Sequence, residues 1–206
     1  MENRPNLTHK ELREYLLAFF CYSIREMEKI ISSLCKEGEE TKLSSEIPIP
    51  LFQFMADTVA KHMLTGNEDA PVILKEDRDG LVKTFYQCMN IKAEMLDEEE
   101  KKYLEAVIDQ FLEKEISGES LSSLNCGQAW SMVEASVQTS GINGVPLNDP
   151  LSLQSGWNEA IRIKYPTKDL YIKASERNAL NTAKSPHSFS IHMKVIEIIA
   201  KRAYGE

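Results

Sequence analysis

The side chains best suited to chemistry in this sequence are one cysteine and two histidines in its second half. Cys126 could supply a nucleophilic thiolate, and His187 or His192 could supply a general base. An enzyme with a site assembled from scattered residues around these three is therefore one hypothesis. The alternative for His192 is structural, because it falls on the apolar side of a predicted helix, where a hydrogen-bonded imidazole at the edge of the core is typical.

The sequence around the cysteine has a familiar local pattern. The segment from Cys126 to Trp130 reads Cys-Gly-Gln-Ala-Trp and resembles the strand-to-helix signature of papain-like proteases. That signature has its nucleophile where this chain has Ala129, and the histidines of this chain follow too early for that family. The alternative interpretation is that Cys126 and Trp130 begin a helix and pack inward. We therefore assign no catalytic residue.

Metal and cofactor sites are not predicted. The four histidines and four cysteines form no spacing typical of zinc ligands. The segment from 75 to 80 looks like the start of a calcium loop, but Lys75 would occupy the first ligand position and Tyr86 the position of the bidentate carboxylate. No glycine-rich phosphate loop occurs. We expect neither a metal nor a cofactor.

The elements that must position any site are mainly helices. From 79 to 118, apolar residues at helical spacing form two segments separated by Asp97, which with Glu100 has the pattern of an N-terminal capping box. The second segment carries an apolar arc wider than one amphipathic stripe, typical of a helix with two neighbours. This arc contains Tyr103, Leu104, Val107, Ile108, Phe111, Leu112 and Ile116. The pattern predicts an antiparallel helical hairpin at the centre of the fold.

Other helices are predicted on both sides of this hairpin. Thr8 and Glu11 form a second capping box before a long amphipathic helix, and further helices are predicted over 51–64, 127–139 and the segment after Pro186. Residues 160–173 alternate apolar and polar side chains around a turn at 166–169, which predicts a β-hairpin, although a helix is the alternative. The predicted fold is mostly α (α+β), a helical bundle around the central hairpin with a small C-terminal β-hairpin.

Charge is distributed unevenly along the chain. The net charge is −8. Residues 1–118 contain 15 Lys and Arg against 24 Asp and Glu, whereas residues 119–206 contain 9 against 8. This asymmetry predicts an acidic helical subdomain over 1–118 and a mixed helix and β-hairpin subdomain over 119–206 packed on it, with a single domain as the alternative.

The cellular compartment is predicted from three features that the sequence lacks. No apolar run reaches the roughly 18 residues that a membrane helix needs, and the N-terminal residues have no signal-peptide pattern. The four cysteines have no paired spacing, which favours reduced thiols. We expect a cytoplasmic protein without membrane insertion.

Candidate partner-binding residues fall in two groups. Apolar residues in predicted loops could supply the centre of an interface, and basic residues of the predicted hairpin could supply its charge. The candidates are Ile47, Ile49, Ile142, Leu147, Leu151, Leu153, Arg162, Lys164 and Lys173. The hairpin, with Tyr165 and Tyr171, could alternatively bind nucleic acid, but the overall acidity of the chain opposes this.

In size, acidity and lack of catalytic groups, the chain is similar to the small acidic chaperones and adaptors of bacterial secretion systems, including those of the type IV (Dot/Icm-like) class. The similarity covers the general character of the chain, and no motif carries it, so no functional residue is transferred. It implies a non-enzymatic adaptor or chaperone that forms a stable complex with another protein, as a component of a secretion machinery. An enzyme around Cys126, His187 and His192 and a nucleic-acid-binding module using residues 160–173 are the alternatives.

Overall fold

The computed structural model describes residues 7–35, 49–88, 93–117, 124–143 and 146–205. These ranges contain the α-helices α1 (His9–Leu34), α2 (Ile49–Leu64), α3 (Arg78–Cys88), α4 (Glu98–Ser117), α5 (Cys126–Asn143), α6 (Pro150–Lys164), α7 (Lys168–Thr182) and α8 (Pro186–Tyr204). Short 3₁₀ turns precede α3 and α4, at Lys75–Asp77 and Ala93–Met95. Within the described residues no strand forms, and the β-pairing is limited to an isolated bridge between Pro71 and Asn125.

The predicted β-hairpin at 160–173 is wrong, and with it the α+β part of the predicted fold class. These residues form the end of α6 and the beginning of α7. The Thr167 hydroxyl accepts a hydrogen bond from the backbone N–H of Leu170 and begins α7 immediately after Pro166. Alternation over six residues looked like a strand, whereas the buried positions Leu153, Trp157 and Ile161 follow the helical spacing of three to four. The mostly helical bundle is as expected.

The helices share one core. The most extensive helix contacts are between α5 and α6, followed by α1 with α2 and α7 with α8, and α1 also contacts α6 and α8. The largest fully buried side chains come from six of the helices: Trp157, Tyr15, Phe19, Leu12, Leu16, Met55, Leu81, Ile108, Met132, Ile161 and Val59. Apolar side chains from the front and the back of the chain therefore pack together. The division into subdomains 1–118 and 119–206 stays a prediction.

The helical hairpin of α3 and α4 forms as predicted, but its central position is wrong. Arg78, at the start of α3, donates from Nε to Asp109 Oδ1 at 2.6 Å and from Nη2 to Glu105 Oε2 at 3.0 Å, both on α4. This antiparallel pair lies at the side of the bundle, because α3 packs on α2 and α4 packs on α3. The junction of α1, α5 and α6 is the better-buried part of the fold.

At that junction three helices approach closely through small residues and a tyrosine. The Tyr15 hydroxyl of α1 is 2.7 Å from Ser136 Oγ of α5, and Ser136 Oγ donates to the carbonyl of Ser152 on α6 at 2.7 Å. Both hydroxyls also reach the carbonyl oxygen of Met132, Tyr15 at 3.3 Å and Ser136 Oγ at 3.0 Å, so each has acceptors within reach. Burial raises the pKa of Tyr15 strongly, so its hydroxyl stays protonated.

One predicted loop is much shorter in the structure. The turn-forming residues of 141–156 predict a long structured loop, but α5 continues to Asn143 and α6 begins at Pro150. Asp149 caps α6 by accepting from the backbone N–H groups of Leu151 at 2.9 Å and Ser152 at 3.2 Å.

Across the described ranges, every helix is too short or too polar to pass through a lipid bilayer.

Candidate interaction surfaces

The cysteine with the protease-like sequence lies in a structural position. Cys126 is the first residue of α5, its side chain is 0% exposed, and its backbone N–H donates to the carbonyl of Ala70 at 3.0 Å. Burial raises the pKa of the Cys126 thiol to about 11. Nucleophilic cysteines need a lowered pKa and some exposure, so this environment works against thiolate formation.

The neighbours of Cys126 explain the motif as a helix start docked on a loop. Asn125 Oδ1 accepts from the backbone N–H of Gln128 at 2.8 Å, and Gln128 Oε1 accepts from the backbone N–H of Asn125 at 3.0 Å, which is a reciprocal cap. Gly127 donates to the carbonyl of Glu68 at 2.8 Å, and a Cβ at position 127 would lie 3.3 Å from that oxygen. The glycine permits this close approach.

The two candidate histidines lie on the first two turns of α8. His187 is exposed, and Nδ1 of the half-buried His192 is 2.7 Å from the carbonyl oxygen of Ser188 one turn earlier. The imidazole of His192 is thus hydrogen-bonded at the edge of the core. Among the described residues, no group of three His, Cys, Asp or Glu side chains is placed to hold a metal ion. The enzyme hypothesis around these residues stays an untested prediction.

The apolar partner-binding candidates are scattered in the structure. Ile47 lies outside the described residues, and so do the side chains of Ile49 and Ile142, although their backbones belong to α2 and α5. Leu147 is half-buried in the turn before α6, and Leu151 is 59% exposed on its first turn. The remaining candidate, Leu153, is buried in the core. The exposed member of this set is Leu151.

The basic candidates do not share a strand edge, because the hairpin does not form. Arg162 donates to Glu159 Oε2 at 2.8 Å and to the carbonyl of Ala203 at 2.8 Å, which fastens α6 to the end of α8. Lys164 is the last residue of α6 and is half-buried, while Lys173 is exposed on α7. The nucleic-acid interpretation depended on the hairpin and loses its structural basis.

The first two turns of α4 carry an open groove, which we call the α4 groove. Its lining residues are Leu96, Glu99, Glu100, Tyr103 and Leu104, and its volume is about 480 Å³. Tyr103 is 67% exposed, and Met95, in the preceding 3₁₀ turn, is 78% exposed. These two are the most exposed large hydrophobic side chains in the described part of the chain.

Local hydrogen bonds fix the backbone of the α4 groove. Asp97 Oδ1 accepts from the backbone N–H groups of Glu99 at 2.9 Å and Glu100 at 2.8 Å, and Glu100 Oε2 accepts from the backbone N–H of Asp97 at 3.1 Å. This is the predicted capping box, and it is confirmed. Glu98 pairs with Lys101 at 2.8 Å, which raises the pKa of that lysine.

The α4 groove is negatively charged. Asp97 and the three following glutamates carry four carboxylates, and Lys101 and Lys102 offset half of that charge. The amino end of a helix interacts favourably with carboxylates in its first turn. Apolar and acidic side chains that line the same groove can accept a ligand that combines apolar and cationic groups.

The wide apolar arc of α4 was a sequence signal for the groove, but it was interpreted as packing against two neighbouring helices. Tyr103 lies about 180° around the helix from the buried Leu112, nine residues later. The apolar arc of α4 therefore has one part packed in the bundle and another part open to solvent. The arc indicates two neighbours, and the helix that contacts α4 most extensively is α3.

A second exposed surface lies on α7, and we call it the α7 stripe. Leu170 is 51% exposed and Leu180 is 63% exposed, and the exposed Lys173 and Arg177 lie between them. Spacings of three, four and three residues place all four on one face of the helix. The opposite face packs Tyr171 and Ala179 into the core. Sequence reasoning missed Leu170 because it placed residues 160–173 in a β-hairpin, and it assigned Leu180 to no element.

Comparisons with known proteins add no relative. No family model matches the chain, and neither a curated protein nor a solved structure matches it.

Proposed function

We propose that this chain is a non-enzymatic adaptor or chaperone that binds another protein through the α4 groove. The observation that carries the proposal is the exposure of Tyr103, which lines a groove together with two glutamates, and of Met95 in the turn before it. Fully burying a methionine side chain is worth about 1.5–3 kcal/mol, so a fold that leaves these side chains in water has this contact energy available for a partner.

The rigidity of the groove supports the same proposal. The capping box holds the start of α4, and Arg78 ties α4 to α3 through Glu105 and Asp109. A preformed surface loses less conformational entropy on binding than a mobile one. Tyr103 supplies a rigid aromatic group of the kind enriched at the centres of interfaces.

Charge indicates the chemistry of the partner. Carboxylates around the groove would steer a basic segment toward it and would pair with lysine or arginine at the rim. The face of Tyr103 can also hold a cation. The partner segment is therefore expected to carry apolar and basic side chains together. Membership of a secretion machinery remains the prediction drawn from general character.

Co-purification from cells that naturally make the chain tests this proposal. The groove variant is Glu99→Lys with Tyr103→Ser, and the matched control is Glu113→Lys with Leu64→Ser, which makes the same kinds of change at exposed positions elsewhere. A partner of different sequence should co-purify with the wild type and the control. Its recovery should fall at least about tenfold with the groove variant, which corresponds to about 1.4 kcal/mol.

Two results would contradict the proposal. One is equal recovery of the partner by the groove variant and the control. The other is turnover of a small substrate by the purified chain alone, which would favour the enzyme hypothesis.

A further inference from the structure

The α4 groove and the α7 stripe are complementary in charge and in the placement of apolar groups. The groove is lined by two leucines and a tyrosine together with Glu99 and Glu100. The stripe presents Lys173 and Arg177 between two exposed leucines. We infer that the α4 groove of one copy receives the α7 stripe of a second copy, so that the chain associates with itself head to tail.

The dimensions of the two surfaces agree. Leu170 and Leu180 are ten residues apart, which is about 15 Å along a helix. The lining residues within α4, from Glu99 to Leu104, span roughly 8 Å on the same measure, and Leu96 extends the groove beyond the start of the helix. A helix laid along the groove can therefore place its two cations over the glutamates and a leucine towards each end.

The charges along the contact favour the same arrangement. Lys173 and Arg177 lie in the centre of the stripe, where they face the glutamates of the groove. Asp169 and Glu176 are also exposed on α7, but at 100° per residue they lie along one edge of the stripe. On α4, the exposed Lys102 lies about 100° around the helix from Tyr103 and can face that acidic edge. Opposite charges thus meet both at the centre and at the edge.

Such a contact joins two different surfaces and is heterologous. Each copy keeps one unused groove and one unused stripe, so association continues into a ring or an open chain. This inference rests on the groove of the proposed function, because a partner protein and a second copy would compete for it. A test of self-association with the purified chain alone separates the two ideas.

The test uses two full-length variants in sedimentation equilibrium. The groove variant, Glu99→Lys with Tyr103→Ser, keeps an intact stripe, and the stripe variant, Lys173→Ser with Arg177→Ser, keeps an intact groove. Glu113→Lys and Lys194→Ser change exposed charges outside both surfaces and serve as controls. Circular dichroism first verifies that each variant is as helical as the wild type.

The expected result is specific to a head-to-tail contact. The wild type and the controls should gain average mass with concentration up to roughly 500 µM, as expected for a small, transient interface, and salt should weaken this. Each variant alone should remain a single chain, with association weakened at least about tenfold. An equimolar mixture of the two variants should form a one-to-one complex that grows no further, because one intact groove meets one intact stripe.

Three results would overturn the inference. They are a wild type that stays a single chain over this range, a groove or stripe variant that associates like the wild type, and a mixture in which no dimer forms. None of these results bears on whether a different protein co-purifies with the wild type, so the proposed function is judged separately.

Discussion

At the scale of single residues, Gly156 has the least room for a side chain among the glycines that the structure describes. A Cβ there would lie 2.2 Å from the Tyr15 hydroxyl oxygen and 2.9 Å from Ser136 Oγ. Real atoms do not approach this closely, so any larger residue must displace the tyrosine and break its hydrogen bond to Ser136. The glycine is required by the close contact of α1, α5 and α6.

Gly156→Ala should therefore destabilise the protein by about 1–3 kcal/mol, although alanine has the higher helix propensity. Tyr15→Phe removes the oxygen atom that the new methyl group meets, so the cost of Gly156→Ala should be smaller in that background. Urea unfolding followed by the fluorescence of the buried Trp130 and Trp157 measures all four proteins. Strictly additive costs would show that the two positions do not clash.

Glu26 is a buried carboxylate that joins α1 to α8. Its Oε1 accepts from Lys29 at 2.8 Å and its Oε2 accepts from Arg202 at 3.1 Å. Burial alone would raise the pKa of Glu26, but the hydrogen bonds and charges of Lys29 and Arg202 more than offset it, so the pKa lies below its ordinary value of 4.5. The charged form of Glu26 thus stabilises the fold.

The lowered pKa of Glu26 sets its contribution to the pH dependence of the free energy of unfolding. The contribution of Glu26 should be complete above about pH 4.5 and should be lost as the pH falls through the lower pKa of the folded state. Glu26→Gln should cost about 1.5–3 kcal/mol at neutral pH and should reduce the loss of stability in acid. The exposed Glu14→Gln is the control. If the free energy of unfolding varies with pH in the same way for the wild type and Glu26→Gln, the stabilising role of the Glu26 carboxylate is contradicted.

At the scale of helices, the helix caps could be predicted from the sequence, whereas the choice between strand and helix over a short segment could not. The caps at Thr8 and Asp97 are confirmed, because each side chain bonds to a backbone group two or three residues away. The β-hairpin at 160–173 was wrong because a short window fits both periods, and the helical one becomes clear only when Leu153 and Trp157 are included. The predicted loop at 141–156 was wrong because Asp149 and Pro150 begin a helix.

The cap of α6 gives a prediction at this scale. Asp149→Ala removes the acceptor for the backbone N–H groups of Leu151 and Ser152 and should cost about 1 kcal/mol. Asp149→Asn keeps an equally good cap and should cost much less. Urea unfolding of both variants tests this difference, and equal costs would mean that charge rather than capping is what matters at position 149.

At the scale of the whole molecule, the candidate surface depends on what the bundle leaves uncovered. The sequence of α4 shows that both Tyr103 and Leu112 are apolar, but it does not show which of them another helix covers. The packing decides this, since Leu112 is buried and Tyr103 is exposed. For the same reason Leu153, predicted to face a partner, lies in the core, and Leu170 and Leu180 are exposed on α7.

The claim that a partner protein binds the α4 groove is tested most directly by hydrogen exchange of the purified complex. Because the groove lies on the first two turns of α4, amides from Leu96 to Leu104 should exchange more slowly in the complex than in the free chain. Amides of α5, whose first turn carries Cys126, should be unchanged. Protection confined to other helices, with the start of α4 exchanging as in the free chain, would contradict the claim.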